Sequence, residues 1–461
     1  MVSIAPFRGY VYNSEEIAGH GGLLTAPPYD VLSPSERELY YASHPHNFLH
    51  VDLGRQLPGD PDPWTWHDRS AAILQGWLKE GVLVRTARPS LYMMETEFAH
   101  PLSGLRQVRR GILCLMRLEA PGRESRIRLH EQTFSLHKQE RLDLMEKTRA
   151  QLSPIFGFFP DAGGAFLDAI ASWTGREPDI AARDTAGQIH KVVELADPAA
   201  AGEFLRGLAA KTVYIADGHH RYMTALNYRE LRLAELAAAG KAPPAGSALD
   251  WVMAYLCPMS DPGLVVLPTH RILKSHSLNN EEMLASLSCA AEIRAFSFAE
   301  AGRRAALDAL SEKLAEDGRK GLTVFGLYLH GCDCCFFLKI REKVKETVAE
   351  SAPERASLSL LDVSLLTDCV LVGALGLTEE RMDDPSIISY ISDASEAFRL
   401  VEGGDRAAFI LNPTSLAEIL KVTESGFVMP RKATYFYPKV SNGLVINLVD
   451  PGETVLPAAG G

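Results

Sequence analysis

The segment TVYIADGHHRYMTALNYRELRLAELAAAG, Thr212 to Gly240, changes its hydrophobic period at a single glycine. A short β-branched run precedes Gly218, and beyond it Met223, Leu226, Leu233 and Leu236 are spaced for burial on one side of a helix. This predicts a strand, a tight turn and a helix in direct succession. A chain that must accommodate such a unit needs both sheet and helix in its core.

The same mixture recurs along the chain. APPYDVLSPSE opens with a Pro-rich turn, and Ser33 followed by Pro34 and Glu36 marks a helix start. GHGG at Gly19 reads as a flexible loop. WTWHDRSAAILQGWLKEGVL carries Ile73, Leu74, Trp77 and Leu78 and closes at Gly81, an amphipathic helix with a glycine stop. SLYMMETEF and RRGILCLMRLE predict two strands around HPLSG. IRLHE is extended to about His130, a helix is expected from Lys138, and SPIFGFFPD is another strand and turn. WVMAYLCPM and LVVLPTHRIL flank SDPG as an expected hairpin, and LTVFGLYLHGCDCCFFLKI predicts a second. Helices around Leu361 to Leu375, a strand AAFILNP, a helix TSLAEILKVTESG with Ser415 and Glu418 as a capping box, and strands in TYFYPK and NGLVINL complete the chain.

The expected fold class is therefore α/β or α+β, with mixed sheets and helices. At 461 residues the chain allows two or three domains at ~150 residues each. The expected division is residues 1–128, an N-terminal α/β lobe, residues 129–245, a core holding the HE and DGHHR motifs, and residues 246–461, a C-terminal α/β lobe. AAAGKAPPAGSALD, Ala237 to Asp250, is the most linker-like stretch.

Net charge is −11, from 58 acids and 47 bases, which argues against a nucleic-acid partner and makes local clusters of His, Arg and Lys informative. The longest apolar run, CVLVGALGL from Cys369, falls well short of the ~20 residues that span a bilayer. No leader pattern opens the chain, and seven cysteines, an odd number thinly spread, suit reduced thiols. A cytoplasmic protein that binds a small-molecule substrate, without membrane or nucleic acid, is expected.

The sharpest chemical feature is ADGHHR, Ala216 to Arg221. A helix N-terminus presents unpaired N–H groups and a positive dipole end. Gly218 lets backbone approach an anion, and His219, His220 and Arg221 add donors within one turn. Asp217 could hold a divalent metal, accept a hydroxyl proton, or cap the helix. The bland alternative is a cap with surface histidines. A second cluster is IRLHEQTFSLHKQER. There Glu131 could act as general base, and Lys138 and Arg141, three apart on a helix, could meet phosphate or simply form a solvated charged face. In MPRKATYFYPK, Arg431, Lys432, Tyr435 and Lys439 could bind phosphate or guard an edge strand. Asp30 and Asn47, around an early loop with a Pro-Pro turn, are substrate-binding candidates, Asp30 equally a turn residue. HGCDCC reads as a hairpin turn rather than a metal site, and no P-loop, Rossmann fingerprint, zincin motif or GxSxG elbow is present.

APPYDVLS, HExTxxxxK with Arg141, ADGHHRYxTALNYR, and MPRKATYFYPK with NGLVIN, in that order, resemble the domain of unknown function 1015 family across nearly the whole chain. The DGHHR centre also resembles the phosphate-binding motif of the ParB/sulfiredoxin-like superfamily, which includes free serine kinases. The resemblance implies a ParB/sulfiredoxin-like core whose turn at Asp217 to Arg221 holds a donor's phosphates, with Glu131 at the position of the kinases' glutamate. Sulfiredoxin chemistry would need a cysteine where His219 and His220 stand. DNA partition would need a basic recognition helix. The expected activity is phosphoryl transfer to a small hydroxylated metabolite, free L-serine, from ATP, ADP or pyrophosphate with Mg2+, and with Glu131 or Asp217 taking the proton. The alternative is a non-catalytic phosphate- or nucleotide-binding regulatory protein.

Overall fold

A computed structural model describes residues 1–131 and 135–455, with the side chains of 135–138, 300, 301 and 379 outside the description. The chain forms two compact units. The first comprises Met1–Leu129, Thr133–Val265 and Pro438–Gly461, the second His130–Gln132 and Val266–Tyr437.

The first unit is built on a nine-stranded mixed sheet. Its path runs Ile127–Arg128, Val213–Asp217, Ile155–Phe159, Trp251–Pro258, Arg106–Arg117, Leu91–Ala99, Ile189–Leu195 and Ile180–Arg183, with Ile4–Ala5 paired to Arg106–Arg117. The middle strands read as unbroken apolar runs because both faces are covered: every residue of Ile155–Phe159 and of Trp251–Pro258 is buried. Helices Ala165–Thr174, Pro198–Ala209 and His219–Ala238 place Ile170, Phe204, Leu208, Tyr222 and Ala225 in that core. A second cluster gathers Leu74 and Trp77 of helix Trp66–Glu80 with Tyr12, Phe48 and Leu144.

The second unit carries a six-stranded sheet in the order Ala291–Ser297, Cys334–Ile340, Val324–Leu329, Ala407–Ile410, His270–Leu273, Ile388–Ile391, every pairing antiparallel. Helices Phe298–Arg319 and Ala394–Glu402 pack Leu310, Leu314, Phe398 and Val401 against it.

The mixed fold class stands as expected, and so do several local signals. Helix Pro34–Ser43 begins on a complete Ser33–Glu36 capping box, helix Leu416–Glu424 on a complete Ser415–Glu418 box, and the HGCDCC turn joins two paired strands. Two expectations fail. WVMAYLCPM does not form a hairpin across SDPG. Trp251–Pro258 pairs antiparallel with Arg106–Arg117 and parallel with Ile155–Phe159, because its apolar faces are satisfied only in the middle of the large sheet. GHGG is not a loop but lies in helix Ser14–Leu24, where the glycines allow close approach: a Cβ on Gly22 would sit 1.5 Å from the Arg183 carbonyl oxygen. Among the described residues no single helix is long and apolar enough to cross a membrane.

Candidate functional site

Strand Val213–Asp217 runs parallel to Ile127–Arg128 and antiparallel to Ile155–Phe159. Its register slips between Ile215 and Asp217, a bulge that re-aims the last side chain out of the strand's alternation. Gly218 follows at φ 88°, a left-handed conformation, and helix His219–Ala238 starts immediately beyond it. The Tyr222 hydroxyl donates to the Glu119 carbonyl at 2.8 Å and accepts from the Glu119 amide at 3.0 Å, pinning the first turn of the helix to the sheet's end. Gly218→Ala is expected to lower stability by about 1–2 kcal/mol, the cost of a Cβ in a left-handed conformation. Its Cβ would also lie 3.1 Å from Arg221 Nε. A urea denaturation midpoint equal to that of the parent would contradict this.

Asp217 stands between two cations. Lys439 Nζ donates to its Oδ1 at 2.5 Å and Arg221 Nη2 to its Oδ2 at 2.6 Å, while Arg221 Nη1 donates to the Pro154 carbonyl at 2.8 Å. Burial pushes the Asp217 carboxyl upward, but Lys439 and Arg221, with His219 behind them, outweigh it and hold the group well below the usual carboxylate range. Such a carboxylate is a poor proton acceptor at neutral pH, which corrects the expectation that Asp217 takes a hydroxyl proton. It also corrects the expected metal site. Mg2+ requires near-octahedral oxygen at ~2.0–2.1 Å, and here each carboxylate oxygen already faces an ammonium or guanidinium group. These residues do not fit Mg2+.

Beside Arg221 lies a cavity of about 50 Å³ lined by Asp52, Arg141, Ser153 and Thr224 among others. That is room for a few waters, at roughly 10–15 Å³ each. Arg141 is buried rather than displayed on a solvated face. Its Nη1 donates to the Asp52 carbonyl at 2.9 Å and lies 3.4 Å from Asp52 Oδ1, and its guanidinium sits 3.7 Å from the centre of the Tyr29 ring. Asp52 also accepts from Asn442 Nδ2 at 2.9 Å and from Ser153 Oγ at 3.4 Å. Burial pushes the Asp52 carboxyl up against the opposing pull of Arg141 and Arg221, and it pushes the Tyr29 hydroxyl up to about 12.

Of the residues singled out in the sequence, the structure brings together Asp217, Gly218, His219 and Arg221, with His220 half-buried on the same turn and Arg141 on the same cavity. Asn47 is spent elsewhere. Fully buried, it donates to the carbonyls of Leu23 and Thr25 and accepts from the Leu49 amide, so it shapes its loop instead of reaching a substrate. Asp30 is exposed in the short turn Tyr29–Val31. Lys138's side chain lies outside the described residues. In the second unit, Glu131 is half-buried and pairs with Met429 as an isolated parallel bridge, and Arg271 acts on it electrostatically. Lys432 is exposed at φ 55°, and Tyr435 lies in strand Tyr435–Tyr437. The sequence motifs single out none of Asp52, Tyr29, Ser153 and Asn442, and they offer Lys439 only as one of four candidates in MPRKATYFYPK. The one usable signal is that Lys439 ends the basic, aromatic run MPRKATYFYPK and Asn442 opens NGLVIN just beyond it.

A family model described as "Protein of unknown function (DUF1015)" matches residues 4–364. The chain belongs to this family. The DUF1015 match includes the APPYDVLS, HE and DGHHR motifs, while MPRKATYFYPK and NGLVIN lie past its end. No curated protein matches. Among solved structures, a free serine kinase in complex with AMP is 12% identical, covers 72% of this chain and 88% of its own, and has a TM-score of 0.29. A conserved hypothetical protein from Pyrococcus furiosus is 13% identical over 68% and 89%, and SbnI with a C-terminal truncation from Staphylococcus aureus is 11% identical over 72% and 85%, both at a TM-score of 0.29. TM-scores this low leave the arrangement of the DUF1015 site to be understood from its own residues.

Proposed function

We propose that this protein is a phosphotransferase acting on a small hydroxylated metabolite, with free L-serine as acceptor, O-phospho-L-serine as product, and ATP, ADP or pyrophosphate as donor. One observation supports this above the others: Arg221, Lys439 and His219 converge on Asp217 at a glycine-led helix N-terminus. Phosphoryl transfer asks a protein mainly for neutralising charge and in-line positioning, and these groups supply the charge. In this reading the donor's phosphate meets Arg221, Lys439 and the helix N–H groups. Asp217 is a positioning residue that keeps both cations at the turn. The family resemblance alone offers Glu131, a residue of the second unit, as the base. Because the Asp217 surroundings do not fit Mg2+, no step is assigned to a metal there.

A second reading, a non-catalytic phosphate- or nucleotide-binding regulator, is favoured by the engagement of both Asp217 oxygens. The two separate in one assay. Purified protein is incubated with L-serine and each donor, and product is followed by phosphorus NMR. Turnover is expected with at least one donor. Glu131→Gln is expected to lower it by the ~10²- to 10⁴-fold typical of a lost general base while donor binding persists. Arg221→Ala should instead weaken donor binding. Donor binding without turnover across hydroxy-amino acids would replace the kinase reading by the regulatory one.

A further inference from the structure

Away from the site above, four of the chain's 14 histidines gather around one carboxylate. Glu16 and His20 lie four apart on helix Ser14–Leu24 and so share a face. His44 caps the end of helix Pro34–Ser43, and His46 and His50 follow it in the chain. The ring centres of His20 and His44 are 4.5 Å apart and those of His44 and His46 are 5.4 Å apart.

Three of these groups have the spacing of a metal site: one ligand atom each from Glu16, His44 and His46 all lie within 4.8 Å of one another, and all three residues are half-buried. His46 Nδ1 and Glu16 Oε1 are 3.0 Å apart, close to the span of two ligands that each stand roughly 2.0–2.1 Å from one tetrahedral ion. Glu16 Oε2 points independently to a missing partner, since it is shielded from solvent and makes no hydrogen bond. His44 Nδ1 accepts the His46 amide at 3.1 Å, so ligation through Nε2 moves the ring proton to Nδ1 and exchanges that contact for the ion.

We propose that Glu16, His44 and His46 bind a divalent transition-metal ion of the zinc class, with solvent in the fourth position. Two imidazoles and a carboxylate are a donor set suited to zinc rather than to magnesium or calcium. The ion ties helix Ser14–Leu24 to the chain after helix Pro34–Ser43, and Tyr29, whose ring covers Arg141, lies between the two points it joins. Bound there, it closes the loop that carries Tyr29.

The test uses the full chain without an affinity tag, stripped with chelator and titrated with Zn2+ by calorimetry and with Co2+ by visible absorption. One equivalent of each ion is expected, and the Co2+ spectrum should show tetrahedral ligand-field bands without a thiolate charge-transfer band. Glu16→Gln and His46→Gln should each lower Zn2+ affinity by at least the roughly 10- to 100-fold lost with a mere outer-shell partner. A variant with Cys332, Cys334 and Cys335 changed to serine should bind as the parent does. The proposal is overturned by a parent protein that binds no Zn2+, by a thiolate band in its Co2+ spectrum, or by unchanged affinity in both ligand variants. Because the parent's own spectrum reports the ligands, the test stands even if a variant fails to fold.

Discussion

Arg141→Met is expected to destabilise the protein by about 3–5 kcal/mol, because it strands a carboxylate in the interior. Asp52 is only 2% exposed, and burial already pushes its carboxyl above the usual range with Arg141 in place. What keeps it there is a set of donors: Arg141, Asn442 and Ser153. Removing the guanidinium leaves the two neutral donors, and Asp52 then gains most by taking a proton. The sign follows from linkage. A carboxyl whose folded pKa lies above its unfolded value favours the fold below the unfolded pKa, and that contribution is lost as pH rises through the folded pKa. The penalty of Arg141→Met should therefore be larger at pH 8 than at pH 5. Adding Asp52→Asn should recover much of it, since the amide removes the charge, its oxygen can still accept from Asn442, and its NH2 can donate to the Ser153 hydroxyl turned to accept. Urea denaturation of the parent, both single variants and the double variant at two pH values measures this. A loss under about 1 kcal/mol, the size of an exposed pair, would mean that water reaches Asp52.

The contrast between Arg141 and Arg221 shows which parts of this protein the sequence could announce. Arg221 sits one helical turn beyond Asp217, so strand, glycine, helix and ion pair are all encoded within a few neighbouring positions, and periodicity exposes them. The Ser33–Glu36 and Ser415–Glu418 boxes were legible for the same reason. Arg141 looked like the partner of Lys138 on a solvated face because a charged helix with little apolar patterning gives no hint of burial, and its actual partner, Asp52, is 89 positions away. Strand Trp251–Pro258 tells the same story in the sheet. Its composition identified a buried strand, whereas its neighbours, Arg106–Arg117 and Ile155–Phe159, were chosen by long-range packing that no local turn signal reports. Lys439 lies between these cases. The basic, aromatic run was visible, but alternation along a strand could not say which lysine would turn toward a carboxylate 222 positions earlier.

Asp217→Asn is expected to cost a comparable amount, about 3–5 kcal/mol at neutral pH, because it breaks two buried pairs and leaves Lys439 and Arg221 facing each other without the charge that separates them. The pH dependence should be opposite to that of Asp52. Lys439 and Arg221 hold Asp217 below its unfolded pKa despite its burial, so its contribution is complete above that pKa and is lost as pH falls through the lower folded value. The gap between parent and variant should be widest near pH 7 and narrow steadily below about pH 4, where the unfolded carboxylate begins to bind protons. Binding supplies a second, opposite sign. The asparagine site carries one negative charge fewer beside the same two cations, so its affinity for pyrophosphate should rise by about tenfold or more if the cradle is a phosphate site, the charge difference being worth at least about 1.4 kcal/mol at partly buried distances. Lys439→Met, which removes one of the cations, should lower that affinity and stability together. Denaturation across pH, paired with calorimetric titration of pyrophosphate, reads both. If the asparagine variant loses stability as expected but its pyrophosphate affinity does not rise, then Asp217, Arg221 and Lys439 form a structural ion-pair network, and the donor site must be sought elsewhere in the fold.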